Sequence, residues 1–221
     1  MNRLFWWSGG ASILVLVTVP AWALVSTPES DVGSLETLRH ASAVAQVETV
    51  VAGGLELPKV IVRSGLLADQ VAPNQGRIPR QLRIDAIGVS APIVPVGVTR
   101  GTAQIPADVD TVGWYRFGGR PGRSGSTVLL AHVSSGTQGP GVFFLLQELA
   151  PGDAVIVEMR NGSSAAYRVI ARRSYAKEAL PGRLFSGMGP EVLTLVTCGG
   201  RFSEASGRYE ENVVVYAVPI G

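Results

Sequence analysis

From Arg77 onward the chain is cut by glycine and proline into short runs rich in β-branched residues, and this punctuation constrains the fold more than any other feature. The runs include Leu82-Arg-Ile-Asp-Ala-Ile87, Ile93-Val-Pro-Val-Gly-Val98, Ser126-Thr-Val-Leu-Leu-Ala131 and Ala154-Val-Ile-Val-Glu-Met159. Ala166-Tyr-Arg-Val-Ile-Ala171, Val192-Leu-Thr-Leu-Val-Thr197 and Val213-Val-Val-Tyr-Ala-Val218 continue the series. Branched side chains are stiff at χ1 and pack well on a pleated surface, and many short strands in one domain favour a closed barrel or a sandwich. An all-β domain is expected over residues 77–221. Phe143-Phe-Leu-Leu-Gln-Glu-Leu149 is apolar but unbranched, which predicts one short helix before the Pro151-Gly152-Asp153 turn.

The other end of the chain reads differently. Leu4 to Val25 carries no ionisable side chain, and Arg3 with the amino terminus puts positive charge before it. Roughly 20 apolar residues cross a bilayer as a helix, and the preceding charge favours an orientation with the remainder of the chain outside. Residues 1–25 are therefore read as an N-terminal membrane anchor. The alternative is a signal peptide cleaved after Ala21-Trp-Ala23, which has the small-x-small form of a cleavage site. Residues 26–76 lack sustained strand alternation and are expected to form an extracytoplasmic stalk, ending at the turn-favouring Ala72-Pro-Asn-Gln-Gly76.

Composition narrows the function. The chain is 46% hydrophobic and 16% charged, which supports a folded core, and its 19 basic and 17 acidic residues include no basic run suited to a phosphate backbone. Nucleic acid is not an expected partner. Cys198 is the sole cysteine, so it cannot form an intramolecular disulfide of the kind exported proteins commonly use.

Cys198 follows the apolar run Val192–Thr197 and precedes Gly199-Gly200, where a strand is expected to emerge into a loop that substrate can approach. His132 ends the run from Val128 in a comparable setting. A thiol is only a few per cent ionised near neutrality, so an imidazole brought beside it can favour the thiolate and later protonate a departing amine. Arg201 and Arg208 lie between Cys198 and the last strand, where a guanidinium can hold a substrate carbonyl. Asn212, at the mouth of that strand, can donate through its amide. The remaining histidine, His40, falls in the expected stalk.

The chain resembles the sortases, most closely the actinobacterial class F group. The resemblance runs from about Ile78 to Val218 through Leu82-Arg-Ile-Asp-Ala-Ile-Gly-Val89, Ala91-Pro-Ile-Val94, Val112-Gly-Trp-Tyr115 and Arg120-Pro-Gly122. It continues through Ala131-His-Val133, Gly139-Pro-Gly-Val-Phe143, Thr194-Leu-Val-Thr-Cys-Gly-Gly200 and Asn212-Val-Val-Val-Tyr-Ala217. What it implies is a closed or nearly closed eight-stranded β-barrel with short helices, preceded by the N-terminal transmembrane helix and linker. The implied activity is transfer of proteins bearing a Leu-Pro-x-Thr-Gly-like sorting signal to a peptidoglycan precursor amine outside the cytoplasmic membrane, with no cofactor.

By the same resemblance Cys198 is the nucleophile, forming a thioester, and His132 protonates the departing glycine amine. The family's arginine position falls nearer Asn212. Arg208 is the closest upstream guanidinium and shares strand parity with Asn212, so it is taken as the third site residue. Two other functions fit the residues: an exported thiol hydrolase, in which water resolves the acyl-enzyme, and a noncatalytic barrel that binds wall peptides. An L,D-transpeptidase is disfavoured, because that family presents its thiol after glycine whereas Cys198 follows Thr197.

Overall fold

The computed structural model describes residues 31–36, 38, 77–99 and 101–220. The expected membrane segment, residues 1–25, lies outside the described residues, as does most of the expected stalk. Among the described residues no helix is long and apolar enough to cross a membrane.

The strands are β1 (Val32–Gly33), β2 (Pro79–Ile84), β3 (Val89–Val96), β4 (Val98–Thr99), β5 (Thr102–Ala103), β6 (Val112–Tyr115) and β7 (Ser126–Leu130). They continue as β8 (Ser134–Ser135), β9 (Gly139–Pro140), β10 (Ala154–Met159), β11 (Ser164–Ala176), β12 (Val192–Ser203) and β13 (Arg208–Pro219). The principal sheet has nine strands in the order β1-β11-β10-β2-β3-β6-β7-β12-β13, and a further pairing of β11 with β13 closes it. Setting aside the appended β1, eight strands form a closed barrel. Closure removes the unpaired sheet edges that would otherwise recruit other chains.

Side-chain alternation fills the barrel. Leu82 and Ile84 of β2, Val155 and Val157 of β10, Leu193 and Leu195 of β12, and Val213, Val215 and Ala217 of β13 share one interior core with Phe143, Leu146 and Leu149. The opposite parity of β7, β12 and β13 is buried too. Val128, Leu130, Val192, Val196, Val214 and Tyr216 form a second apolar layer on the barrel's outer face, covered by Leu184 and Phe185 from the β11–β12 connection and by Leu35 and Leu38. Burial on both faces explains why these strands read as near-continuous apolar runs. The parallel pairing of β7 with β12 lies at the centre of this doubly covered region.

Three elements differ from the sequence reading. The predicted helix over Phe143–Leu149 is a set of turns containing one 3₁₀ turn, Leu146–Glu148. Phe143, Leu146 and Leu149, all fully buried, recur every third residue, which suits a three-residue turn better than an α-helix. β12 does not stop at Cys198 but continues to Ser203, and with β13 it makes a long hairpin where a loop was expected. Finally, part of the expected stalk docks on the barrel. β1 pairs with β11 through Val32↔Arg172 and Gly33↔Ala171, and Arg173 clamps it by donating from Nη1 to Val32 O and from Nη2 to Gly33 O, both at 2.7 Å.

Candidate active site

The parallel register of β7 and β12 sets Leu130 beside Val196. Past that pair the two chains stay in step: Ala131 N donates to Val196 O at 3.3 Å, and the buried Thr197 hydroxyl donates to Ala131 O at 2.8 Å. The next residue on each chain is His132 and Cys198. Neighbouring strands are separated by about 4.8 Å, so continuing this register brings the imidazole-bearing and thiol-bearing residues side by side at one end of the barrel. Both share the parity of Val196 and Leu130, on the barrel's outer face.

The backbone of His132 is held from the other side. Phe143 N donates to His132 O at 3.1 Å, and Gly141 N donates to Val133 O at 2.9 Å. A Cβ at Gly141 would sit 2.4 Å from His132 O, so only glycine permits this close approach. The Gly139–Phe143 segment therefore positions the histidine. A hydroxyl–hydroxyl contact of 3.0 Å between Ser134 and Tyr209 ties the loop after His132 to the β12–β13 hairpin.

Cys198 is half-buried and pairs across the ladder with Asn212 of β13, whose other edge pairs Asn212 with Tyr175 of β11. Just beyond β11, in the 3₁₀ turn Lys177–Ala179, Lys177 reaches back over this row. Its Nζ donates to Cys198 Sγ at 3.1 Å and to Asn212 Oδ1 at 2.7 Å. Among the described residues no carboxylate forms an ion pair with Lys177. The sequence reading missed this lysine. No local motif marks it, because 21 residues and a change of strand separate it from the thiol.

The guanidinium expected at the site is elsewhere. Arg208 opens β13 opposite Ser203 and is exposed, four residues from Asn212 or about 13 Å along the strand. Arg201, also exposed, pairs across the hairpin with Glu210 at 3.4 Å. The structure thus places Asn212 and Lys177 at the thiol, and Arg201 and Arg208 toward the hairpin's far end.

Two glycines shape the exit of β12. A Cβ at Gly199 would lie 2.5 Å from Val213 Cγ2, and Gly200 has φ +72 in the register shift between Gly199 and Phe202. They admit the neighbouring strand and the bulge, a structural need beyond the open approach read from sequence. A cleft of about 160 Å³ opens here, lined by Cys198, Gly199 and Tyr209 with Val133, Phe144 and Gln147. A larger groove of about 650 Å³ lies further down the same outer face of β12, against Val192, Thr194, Leu184 and Tyr216. Burial, and then the hydrogen bond with Tyr175, raise the Tyr216 phenol well above its usual range and keep it neutral.

A Sortase domain profile matches residues 82–220, more than half of the chain, and the protein belongs to that family. Among solved structures, the chain is similar to sortase C1 of Streptococcus agalactiae in complex with MTSET, at 24% identity over 64% of this chain and 67% of that one, with a TM-score of 0.51. A lid mutant of Streptococcus agalactiae sortase C1 is similar at 22% identity, over 64% and 69%, with a TM-score of 0.50. At these identities the likeness concerns the barrel fold. No curated protein matches the chain.

Proposed function

We propose that this sortase-family chain is a membrane-anchored cysteine transpeptidase of class F type, which joins exported proteins bearing a Leu-Pro-x-Thr-Gly-like signal to a peptidoglycan precursor amine. The observation that carries the reading is the chain's only cysteine lining a cleft, with an ammonium 3.1 Å from its sulfur and a histidine two residues past the end of the adjacent strand, in step with the thiol. The class F assignment rests on the motif resemblance, and anchoring on the charge-free stretch Leu4–Val25 behind Arg3.

In this mechanism the Cys198 thiolate gives its electron pair to the threonine carbonyl carbon, and the carbonyl π pair moves to oxygen. Collapse of that oxyanion breaks the C–N bond. The departing glycine amine takes a proton from the His132 imidazolium, leaving a thioester and neutral imidazole. An incoming amine then attacks the thioester, His132 accepts its proton, and the thiolate leaves. Dividing the exchange into two acyl transfers avoids direct attack of one amide by another amine. Phe144, 46% exposed, lines the same cleft as Cys198 and offers an apolar surface to the peptide beside the thiol.

Incubating the full chain in detergent with a labelled sorting peptide, with and without a glycine-type amine, tests the reading. Transpeptidation gives ligated product that requires the amine. Free acid in both reactions, with no ligated product, would instead assign a thiol hydrolase.

A further inference from the structure

We propose that Lys177 is the catalytic cation of this site, replacing a guanidinium, with Asn212 as its tether; this inference rests on the transpeptidase reading above. An ammonium has three N–H donors and no acceptor. Two are directed at Cys198 Sγ and Asn212 Oδ1, at 3.1 and 2.7 Å, which leaves the third for a substrate oxygen. The half-buried setting and the absence of an ion-paired carboxylate among the described residues leave the positive charge directed at the sulfur.

The fold explains why a lysine does this work. Tyr175, Asn212 and Cys198 are aligned across β11, β13 and β12. Position 212, directly opposite the thiol, carries a neutral amide, and its oxygen fixes an ammonium arriving from the turn after β11. A lysine's four-carbon stem spans that approach, and its compact charge serves sulfur and oxygen in succession without a planar fork.

During acylation negative charge passes from sulfur to the carbonyl oxygen as the C–S bond forms and the π pair moves to oxygen. Lys177 holds the thiolate first. Its remaining N–H then meets the oxyanion, while Asn212 Oδ1 keeps Nζ in place. When the oxyanion collapses and the C–N bond breaks, the ammonium retains all its protons, because the proton for the leaving amine comes from His132.

The test compares wild type, Lys177→Met, Lys177→Arg and Asn212→Ala as full chains in detergent, with two readouts. The first needs no peptide: alkylation of Cys198 by anionic iodoacetate and by neutral iodoacetamide, followed by intact mass. Because Cys198 is the only cysteine, every adduct reports on it, and the ratio of the two rates isolates the local charge from thiol ionisation. Loss of a unit charge beside the sulfur should lower the iodoacetate-to-iodoacetamide ratio about fivefold or more in Lys177→Met, while Lys177→Arg stays near wild type. Asn212→Ala, which frees the ammonium, should fall between them.

The second readout is single-turnover acylation by a sorting peptide, which should drop roughly 100-fold or more in Lys177→Met, as loss of an oxyanion donor does, and recover in part in Lys177→Arg. If Lys177→Met fails to fold, Asn212→Ala and Lys177→Arg carry both readouts, and wild-type values in Asn212→Ala would overturn the tether. An unchanged reagent ratio with near-normal acylation in Lys177→Met would overturn the role of Lys177 while leaving the transpeptidase reading intact. A lowered ratio together with no wild-type acylation would overturn the transpeptidase reading while upholding the pairing of Lys177 with the thiolate.

Discussion

The two halves of β12 are built on opposite principles. From Val192 to Thr197 every residue is buried, with Leu193 and Leu195 inside the barrel and Val192 and Val196 under the outer layer. From Gly200 to Phe202 the same strand is exposed, and Phe202 is 50% accessible. Cys198 stands at the junction. A nucleophile needs a fixed position and an open approach, and a strand that passes from a doubly covered region into a free hairpin supplies both. The cation follows the same rule: Lys177 lies where β11 leaves the barrel, whereas Arg201 and Arg208 belong to the exposed hairpin.

Substitutions along and beside β12 can break or sharpen this contrast. The largest effect belongs to Cys198→Ala, which should abolish acyl-enzyme formation while the thermal unfolding midpoint stays close to wild type, since the thiol's role is chemical. His132→Ala removes the acid for the leaving amine, so single-turnover acylation should fall roughly 10²- to 10⁴-fold; a near-normal rate would remove His132 from the mechanism. In the buried half, Leu195→Ala should destabilise the barrel by about 2–5 kcal/mol in denaturant titration, because its fully buried side chain leaves a cavity that close-packed neighbours cannot fill.

At the bulge, Gly200→Ala places a side chain at φ +72, and a cost of about 1–2 kcal/mol is expected from the left-handed backbone alone. Glu211 Cγ at 2.8 Å and its backbone-fixed Cβ at 3.0 Å crowd the new methyl as well, which adds to that cost. The smallest effect is expected in the free hairpin. Arg201→Ala disrupts an ion pair whose side chains are 82% and 45% exposed, worth less than about 1 kcal/mol, and acylation should change less than about threefold. A large acylation defect there would make the hairpin part of the catalytic machinery.

How much of this was legible follows from the same contrast. The barrel strands announce themselves locally, because burial on one or both faces selects branched residues between turn formers, as in Ala154–Met159, whose observed bounds equal the sequence reading. The strands that lead to His132 and Cys198 were legible, although β12 runs on past Cys198 to Ser203, and the parallel register of β7 and β12 sets the two residues at matching positions. Three features were hidden. Gly199-Gly200 reads as a loop because its actual reason, the approach of Val213 and a bulge, lies on another strand. The helix over Phe143–Leu149 was inferred from unbranched residues, whereas the buried set every third residue reflects a tighter turn. Lys177 was invisible because a solitary lysine after a strand carries no pattern until β11 and β13 are paired.

Intact-mass measurement of the full chain after exposure to a sorting peptide tests the central claim most directly. The account predicts one acyl adduct on wild type, placed by fragmentation at Cys198, absent from Cys198→Ala and discharged by a glycine-type amine into ligated peptide. Amine-dependent ligation that persists in a folded Cys198→Ala protein would contradict it.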